Sequence, residues 1–236
     1  MANYETLPGW DFCYKLLNEH HIVIGGGTGS GKSVLLDDII FTATSYRPHD
    51  LQMFLIDIKR VGLKKWKNDP HVVSFVTEIE DIVPCLKRIN RIMDDRYKEM
   101  DRLNLEQTTR SDIYVIIDEA NEVLRQKGVI EHIDRLMRIA RAAGIHLIMA
   151  TQDVSRSTGI PARIFKNASC RIGLRCESAV DSRQVIGIGG CEKLPLYGQC
   201  YIRNGRGELL YQNIPLTQRE DIDIRVNHNW KRSELM

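Results

Sequence analysis

The chain has 236 residues, 43% hydrophobic and 27% charged, with a formal net charge of +2 and a pI near 8.2. That composition is ordinary for a globular domain and excludes a disordered or collagen-like chain. No apolar run approaches the ~20 residues a membrane span needs. Met1–Trp10 lacks the basic-then-apolar layout of a secretion leader. The expectation is a cytoplasmic protein with no membrane segment of its own, a membrane-bound partner or a longer parent chain being left open. The near-balanced charge neither demands nor excludes nucleic acid.

In chain order, short apolar runs alternate with amphipathic stretches, the pattern of an α/β fold with a mainly parallel sheet. Ile22-Val23-Ile24 reads as a buried strand, followed by glycines and then a helix over 32–44. Residues 51–58 read as a second strand. Apolar residues at Ile82, Leu86, Ile89, Met93, Tyr97 and Met100 recur in steps of three and four and predict a long helix over 79–103. Pro84 is placed near its first turn, where a missing N–H costs little. Residues 113–117 predict a third strand. A helix over 129–143 follows, with Ile130, Ile133, Met137 and Ala140 inward and Gly144 as its left-handed cap. Strands are expected over 145–150 and 171–176. Residues 199–212 read as a β-hairpin closed by an Asn204-Gly205 turn. Thr217 and Glu220 suggest a capping box for a last helix. One domain is expected, with 1–18 as lead-in, 19–216 as core and 217–236 as tail.

Six cysteines, at 13, 85, 170, 176, 191 and 200, form no CxxC pair, which argues against a zinc site. A chain this rich in core residues needs no disulfides. They read as reduced thiols, several of them buried.

Gly26-Gly27-Thr28-Gly29-Ser30-Gly31-Lys32-Ser33 fits G-x-x-x-x-G-K-[ST] at every fixed position, with a strand before it and a helix after it. Glycines let the backbone curl so that amides converge on phosphates, aided by the helix N-terminus. Lys32 would meet the β- and γ-phosphates of ATP and the Ser33 hydroxyl would ligate Mg²⁺, the binding segment running from Gly26 through Val34. The strand over 113–117 ends at Asp118-Glu119. Asp118 would hold the Mg²⁺ through water, and Glu119 is placed to polarise the attacking water. Gln152 ends the strand over 145–150, where ligands gather at the carboxyl end of a parallel sheet, and is a candidate γ-phosphate or water sensor.

Together with this site, Leu55-Ile56-Asp57-Ile58-Lys59, Asp95-Arg96-Tyr97, Ile117-Asp118-Glu119-Ala120, and Ala140 to Leu147 running into Ala150-Thr151-Gln152 resemble the motor domain of the FtsK/SpoIIIE family. Arg171-Ile172, Asp181-Ser182-Arg183 and Tyr201 continue the match in order. The resemblance implies a RecA-like P-loop ATPase that assembles as a ring, usually a hexamer, around double-stranded DNA. It also implies an arginine finger from the neighbouring copy. Arg171 matches the family's Arg-Ile and is the main candidate; Arg175, Arg163 and Lys166 stand nearby. Ile58 replaces the family's proline, Ala120 its aromatic residue, and Asp153 stands where arginine is common.

The implied function is ATP-driven movement of duplex DNA, in chromosome partition or conjugative transfer. Several copies, each offering cations such as Arg60, Lys64, Lys65 and Lys67, would sum to a strong grip on the phosphate backbone. The alternative is protein export: Arg171 to Arg175 and Glu192-Lys193-Leu194-Pro195 are similar to segments of type VII secretion ATPases. A nucleotide-binding regulator that never translocates would need an idle Glu119.

Overall fold

The computed structural model describes residues 9–47, 49–154 and 159–214. The expected capping box at Thr217 and Glu220, and the tail over 217–236, lie outside the described residues.

A helix α1 (Gly9–Leu16) leads into β1 (His21–Gly25), all five residues of which are buried. After the glycine turn comes α2 (Lys32–Tyr46), then β2 (Leu51–Ile56). The chain continues through β3 (Val72–Val76), α3 (Ile79–Leu103) and β4 (Asp112–Ile117). Two helices, α4 (Ala120–Leu124) and α5 (Val129–Ile139), precede β5 (Ile145–Thr151). Then follow α6 (Ala162–Asn167), β6 (Cys170–Gly173) and α7 (Ala179–Ile186). The hairpin β7 (Gln199–Arg203) and β8 (Leu209–Asn213) closes the described chain.

These strands make one eight-stranded sheet in the order β3-β2-β4-β5-β1-β6-β7-β8. The pairings from β3 to β6 are parallel, and β6-β7 and β7-β8 are antiparallel. The expected mainly parallel α/β sheet with a C-terminal hairpin is therefore what forms. Each face carries its own core. On one, Phe12 and Leu16 of α1 and Leu35, Ile39 and Ile40 of α2 pack on Ile22, Ile24 and Leu55. On the other, Ile82, Leu86, Ile89 and Met93 of α3 and Ile133, Leu136 and Met137 of α5 pack on Val23, Ile56, Val115 and Ile117. Strands covered on both sides must be apolar at every position rather than alternately, which is why β1 and β4 read as continuous runs.

Several boundaries differ from expectation. β2 stops at Ile56, because Asp57 begins a loop that folds back on itself. β6 spans Cys170–Gly173 and not 171–176; beyond it the chain turns toward the glycine loop. β3 is an additional strand, and α5 ends at Ile139. Gly144 does take a left-handed φ of 62°, but in the turn that enters β5, not as the cap of α5. Pro84 lies in the second turn of α3, on its exposed face, where water can satisfy the carbonyl it leaves unbonded. The hairpin loop spans residues 204–208. Its left-handed residue is Gly207 (φ 78°), while the Asn204 side chain accepts from the amides of Arg206 (3.1 Å) and Glu208 (3.0 Å). All six cysteines are buried and free, as the reading of reduced thiols expects.

Arg96, from the Asp-Arg-Tyr segment of the family resemblance, proves to be a scaffold residue. Buried under α3, it donates to the carbonyls of Ala143 (2.6 Å) and Ser111 (2.7 Å), tying the starts of β4 and β5 together.

Candidate functional site

The carboxyl ends of β1, β4 and β5 bring the sequence-predicted residues together. The glycine loop leaves β1 with its first amides bonded inward: Gly26 N–H to the Thr151 carbonyl (3.3 Å) and Gly27 N–H to the Arg175 carbonyl (2.8 Å). At Gly26 a Cβ would lie 2.6 Å from Ser30 Oγ and 2.8 Å from Leu174 Cβ, so no larger residue fits. Gly29 (φ 74°) and Gly31 (φ 96°) supply the left-handed turns that curl the backbone. Among the described residues the amides of Gly29, Gly31, Lys32 and Ser33 have no backbone acceptor. They point from a helix N-terminus, where backbone donors and the helix dipole favour an anion. The buried Ser30 hydroxyl also has no hydrogen-bond partner.

Lys32 is buried, and its ammonium donates to the carbonyls of Gly26 (2.6 Å) and Gly27 (2.8 Å). Burial lowers its pKa to about 8, although Glu119 and Asp118 pull the other way. The lysine is thus a poorly solvated charge resting on the turn it would leave for a phosphate.

Across the sheet, β5 separates β1 from β4, and β4 ends at Asp118 and Glu119, both buried. Burial raises the Asp118 carboxyl to about 6, reinforced by the negative charges of Glu119 and Asp57. Asp57 is wholly buried; its Oδ2 accepts from Leu63 N–H (2.9 Å) and its Oδ1 has no partner. The mutual repulsion felt by Asp118 and the orphaned Asp57 oxygen make an environment a divalent cation would relieve. Among the described residues no cluster of three or more His, Cys, Asp or Glu side chains could by itself hold a metal. A cation here would depend on ligands from bound phosphates, the habit of Mg²⁺ rather than zinc.

Gln152 lies where the carboxyl-end rule puts it. Its Nε2 donates to Glu119 Oε1, and its Oε1 accepts from the Thr28 hydroxyl (2.9 Å). The amide therefore bridges the glycine loop to the candidate base. Thr151 adds a buried contact, its hydroxyl lying 2.9 Å from Asn121 Oδ1.

Arg171 is not part of this constellation. It is half-buried on β6, paired across the ladder with Arg203, and lines a cleft of about 700 Å³ beside Glu19, Arg141 and Lys166. That cleft adjoins Glu19 and His20, which precede β1, so it opens at the far end of that strand from the glycine loop. Arg175, by contrast, abuts the loop through its own carbonyl, with its guanidinium donating to Leu194 O (3.2 Å). Arg163 and Lys166 are exposed on α6. Of the four loop cations, Arg60 pairs with Glu78 and Lys65 with Asp37 (2.6 Å); Lys64 and Lys67 are exposed.

Sequence reasoning assigned no role to Lys59 or Gly62. Lys59 Nζ is 3.2 Å from Glu119 Oε1. At Gly62 a Cβ would fall 2.1 Å from Asp118 Oδ2, so the glycine is the cradle that lets that carboxylate stand where it does. Gly62→Ala is expected to displace Asp118 and lower ATP turnover by roughly 10²-fold, the cost of an ångström-scale misplacement in a site. Turnover assays beside an unchanged circular-dichroism melt check this.

A glycine turn between a buried strand and a helix, with acids two strands along the sheet, defines a P-loop ATPase fold. Solved structures agree. The type VII secretion ATPase EccC of Thermomonospora curvata superposes with a TM-score of 0.73 at 24% identity, over 89% of this chain and 28% of that one. The pCW3 conjugation coupling protein TcpA, in a structure with ATPγS, superposes with a TM-score of 0.77 at 20% identity, over 89% and 65%. Identities this low speak for the fold alone.

The chain belongs to the FtsK/SpoIIIE family, whose model matches residues 5–127. It is 35% identical over 221 residues to the DNA translocase FtsK of Staphylococcus aureus (strain Mu50), covering 83% of this chain and 26% of that protein. FtsK of Listeria monocytogenes serovar 1/2a is 33% identical over 235 residues, covering 89% and 28%. The chain thus spans only about a quarter of the length of these relatives. Among the described residues no helix is long and apolar enough to cross a membrane.

Proposed function

We propose that this chain is the ATP-hydrolysing unit of a ring motor that moves double-stranded DNA inside the cell. The observation that carries the reading is the meeting of the 26–33 turn, Asp118, Glu119 and Gln152 at one sheet end, in a chain whose relatives are DNA translocases. The loop amides and Lys32 bind the triphosphate. Ser33 and Asp118 would hold Mg²⁺, which would supply charge neutralisation on the phosphates. Glu119 accepts the proton of the attacking water, oriented by Gln152, which also touches the loop through Thr28. Arg171, remote from its own copy's site, serves the nucleotide of the neighbouring copy in a ring, probed as a hexamer. Residues 19–216 make up the motor core.

DNA is gripped by exposed cations such as Lys64 and Lys67, few per copy but summed around the ring. ATPase activity with and without linear duplex DNA tests this. Duplex DNA is expected to raise turnover several-fold at low salt, the gain fading steeply as salt rises. Turnover that ignores DNA but responds to a secreted-protein segment would turn the reading to export, as in the type VII ATPases that share the fold.

A further inference from the structure

The loop over 57–67 touches the candidate active site at Asp118, at Glu119 and, through Asp37, at the helix that carries Lys32. Asp57 closes the loop on Leu63 N–H, and Gly62 abuts the Asp118 carboxylate. Trp66 is fully buried and donates from Nε1 to Asp37 Oδ1 (2.8 Å), while Lys65 takes the other oxygen of that acid (2.6 Å). Asp37 stands on α2, the helix that carries Lys32. The loop is therefore fastened both to the phosphate-binding helix and to the acid of β4.

The third contact is the Lys59–Glu119 ion pair at 3.2 Å. It joins a half-exposed cation to a carboxylate that is almost wholly buried, its side chain 5% exposed against 50% for the lysine. Both sides of the contact carry backbone strain. Among the described residues, the non-glycine residues with positive φ are Arg60 (60°), Asn104 (53°) and Glu119 (51°). Asparagine tolerates that region; arginine and glutamate occupy it rarely and at a cost, and such outliers gather at functional and switching sites. Two of the three flank a single ion pair.

We propose that Lys59 restrains Glu119, and that the 57–67 loop is the arm through which a polyanion releases it. The ion pair ties the Glu119 carboxylate to the loop rather than to an attacking water. The pair also takes Oε1, the same oxygen that Gln152 engages. Exposed Lys64 and Lys67, with Arg60 on the loop's outer side, attract a phosphate backbone. The loop's shift then draws Lys59 away from the acid and lets Glu119 leave its strained conformation. Hydrolysis is thereby made conditional on the partner. This rests on the assignment of Glu119 as general base.

The test is steady-state ATPase of the whole chain, with and without linear duplex DNA, for wild type, Lys59→Met, Lys59→Arg and the double variant Lys59→Met/Glu119→Gln. Lys59→Met is expected to raise basal kcat several-fold with KM for ATP unchanged, and to bring the DNA stimulation ratio close to one. Lys59→Arg, which keeps the ion pair, should behave as wild type. A rise in kcat cannot come from misfolding. A basal kcat at or below wild type in Lys59→Met overturns the restraint. If wild type ignores DNA while Lys59→Met is still faster, the restraint stands and release by a polyanion is overturned. A double variant as active as Lys59→Met would instead remove Glu119 as the base.

Discussion

Glu119→Gln is expected to cut ATP turnover by roughly 10²–10⁴-fold, the span of general acid–base catalysis, while leaving ATP binding close to wild type. Glutamine matches glutamate in size and keeps an oxygen that can accept from Gln152 Nε2, so the buried site need not repack. What it loses is the ability to take a proton from water. Equilibrium binding of a fluorescent ATP analogue, beside steady-state turnover, separates the two effects. Turnover equal to wild type would mean that another group activates the water.

Lys32→Ala has the opposite signature, because it removes binding as well as rate. The ammonium is buried and donates to the Gly26 and Gly27 carbonyls, so its transfer to a phosphate exchanges neutral acceptors for charged ones. A hydrogen bond to a charged group contributes about 1.5–3 kcal/mol, equivalent to roughly a ten- to hundredfold change in Kd. Its loss is expected to weaken ATP binding by about that factor, and turnover by more, since negative charge develops on the leaving β-phosphate oxygen within the lysine's reach. Calorimetric titration with ATP, repeated for the Glu119→Gln chain, would show the first variant weakened by about that factor and the second close to wild type. The same lysine predicts a pH effect on the nucleotide-free protein. Its pKa is depressed to about 8, so above that value the lysine of the free protein turns neutral, and ATP affinity should fall as pH rises through it.

The site was legible to the extent that its geometry is encoded locally. The eight residues from Gly26 to Ser33 specify their own backbone, and β1 and β4 announce themselves because strands buried on both faces have no polar alternation to hide in. The helix over Ile79–Leu103 appears with the predicted limits, since one apolar stripe over many turns leaves little freedom. β3 escaped notice because it pairs on one side only and four of its five residues are partly exposed, so Val72–Val76 lacks a strong pattern. The left-handed residue of the hairpin was misplaced because the Asn204 side chain, not an Asn-Gly pair, organises a longer loop.

Lys59, Asp57 and Gly62 carried no readable role for a different reason. Their importance lies in contacts with Asp118 and Glu119, about 60 positions away, made only when the loop after β2 folds back over the end of β4. Arg171 shows the converse. Its motif is plain in the sequence, yet it stands on β6 beside Arg203, outside the group formed by Lys32, Asp118 and Glu119.

The central claim is that the 26–33 turn and the acids of β4 close on a single nucleotide. The direct measurement is a crystal structure with Mg²⁺ and a non-hydrolysable ATP analogue. The account predicts the triphosphate in that turn, Lys32 moved from the Gly26 and Gly27 carbonyls onto it, and the metal between Ser33 and Asp118. Nucleotide bound elsewhere, or Lys32 still seated on those carbonyls beside a bound triphosphate, would contradict it.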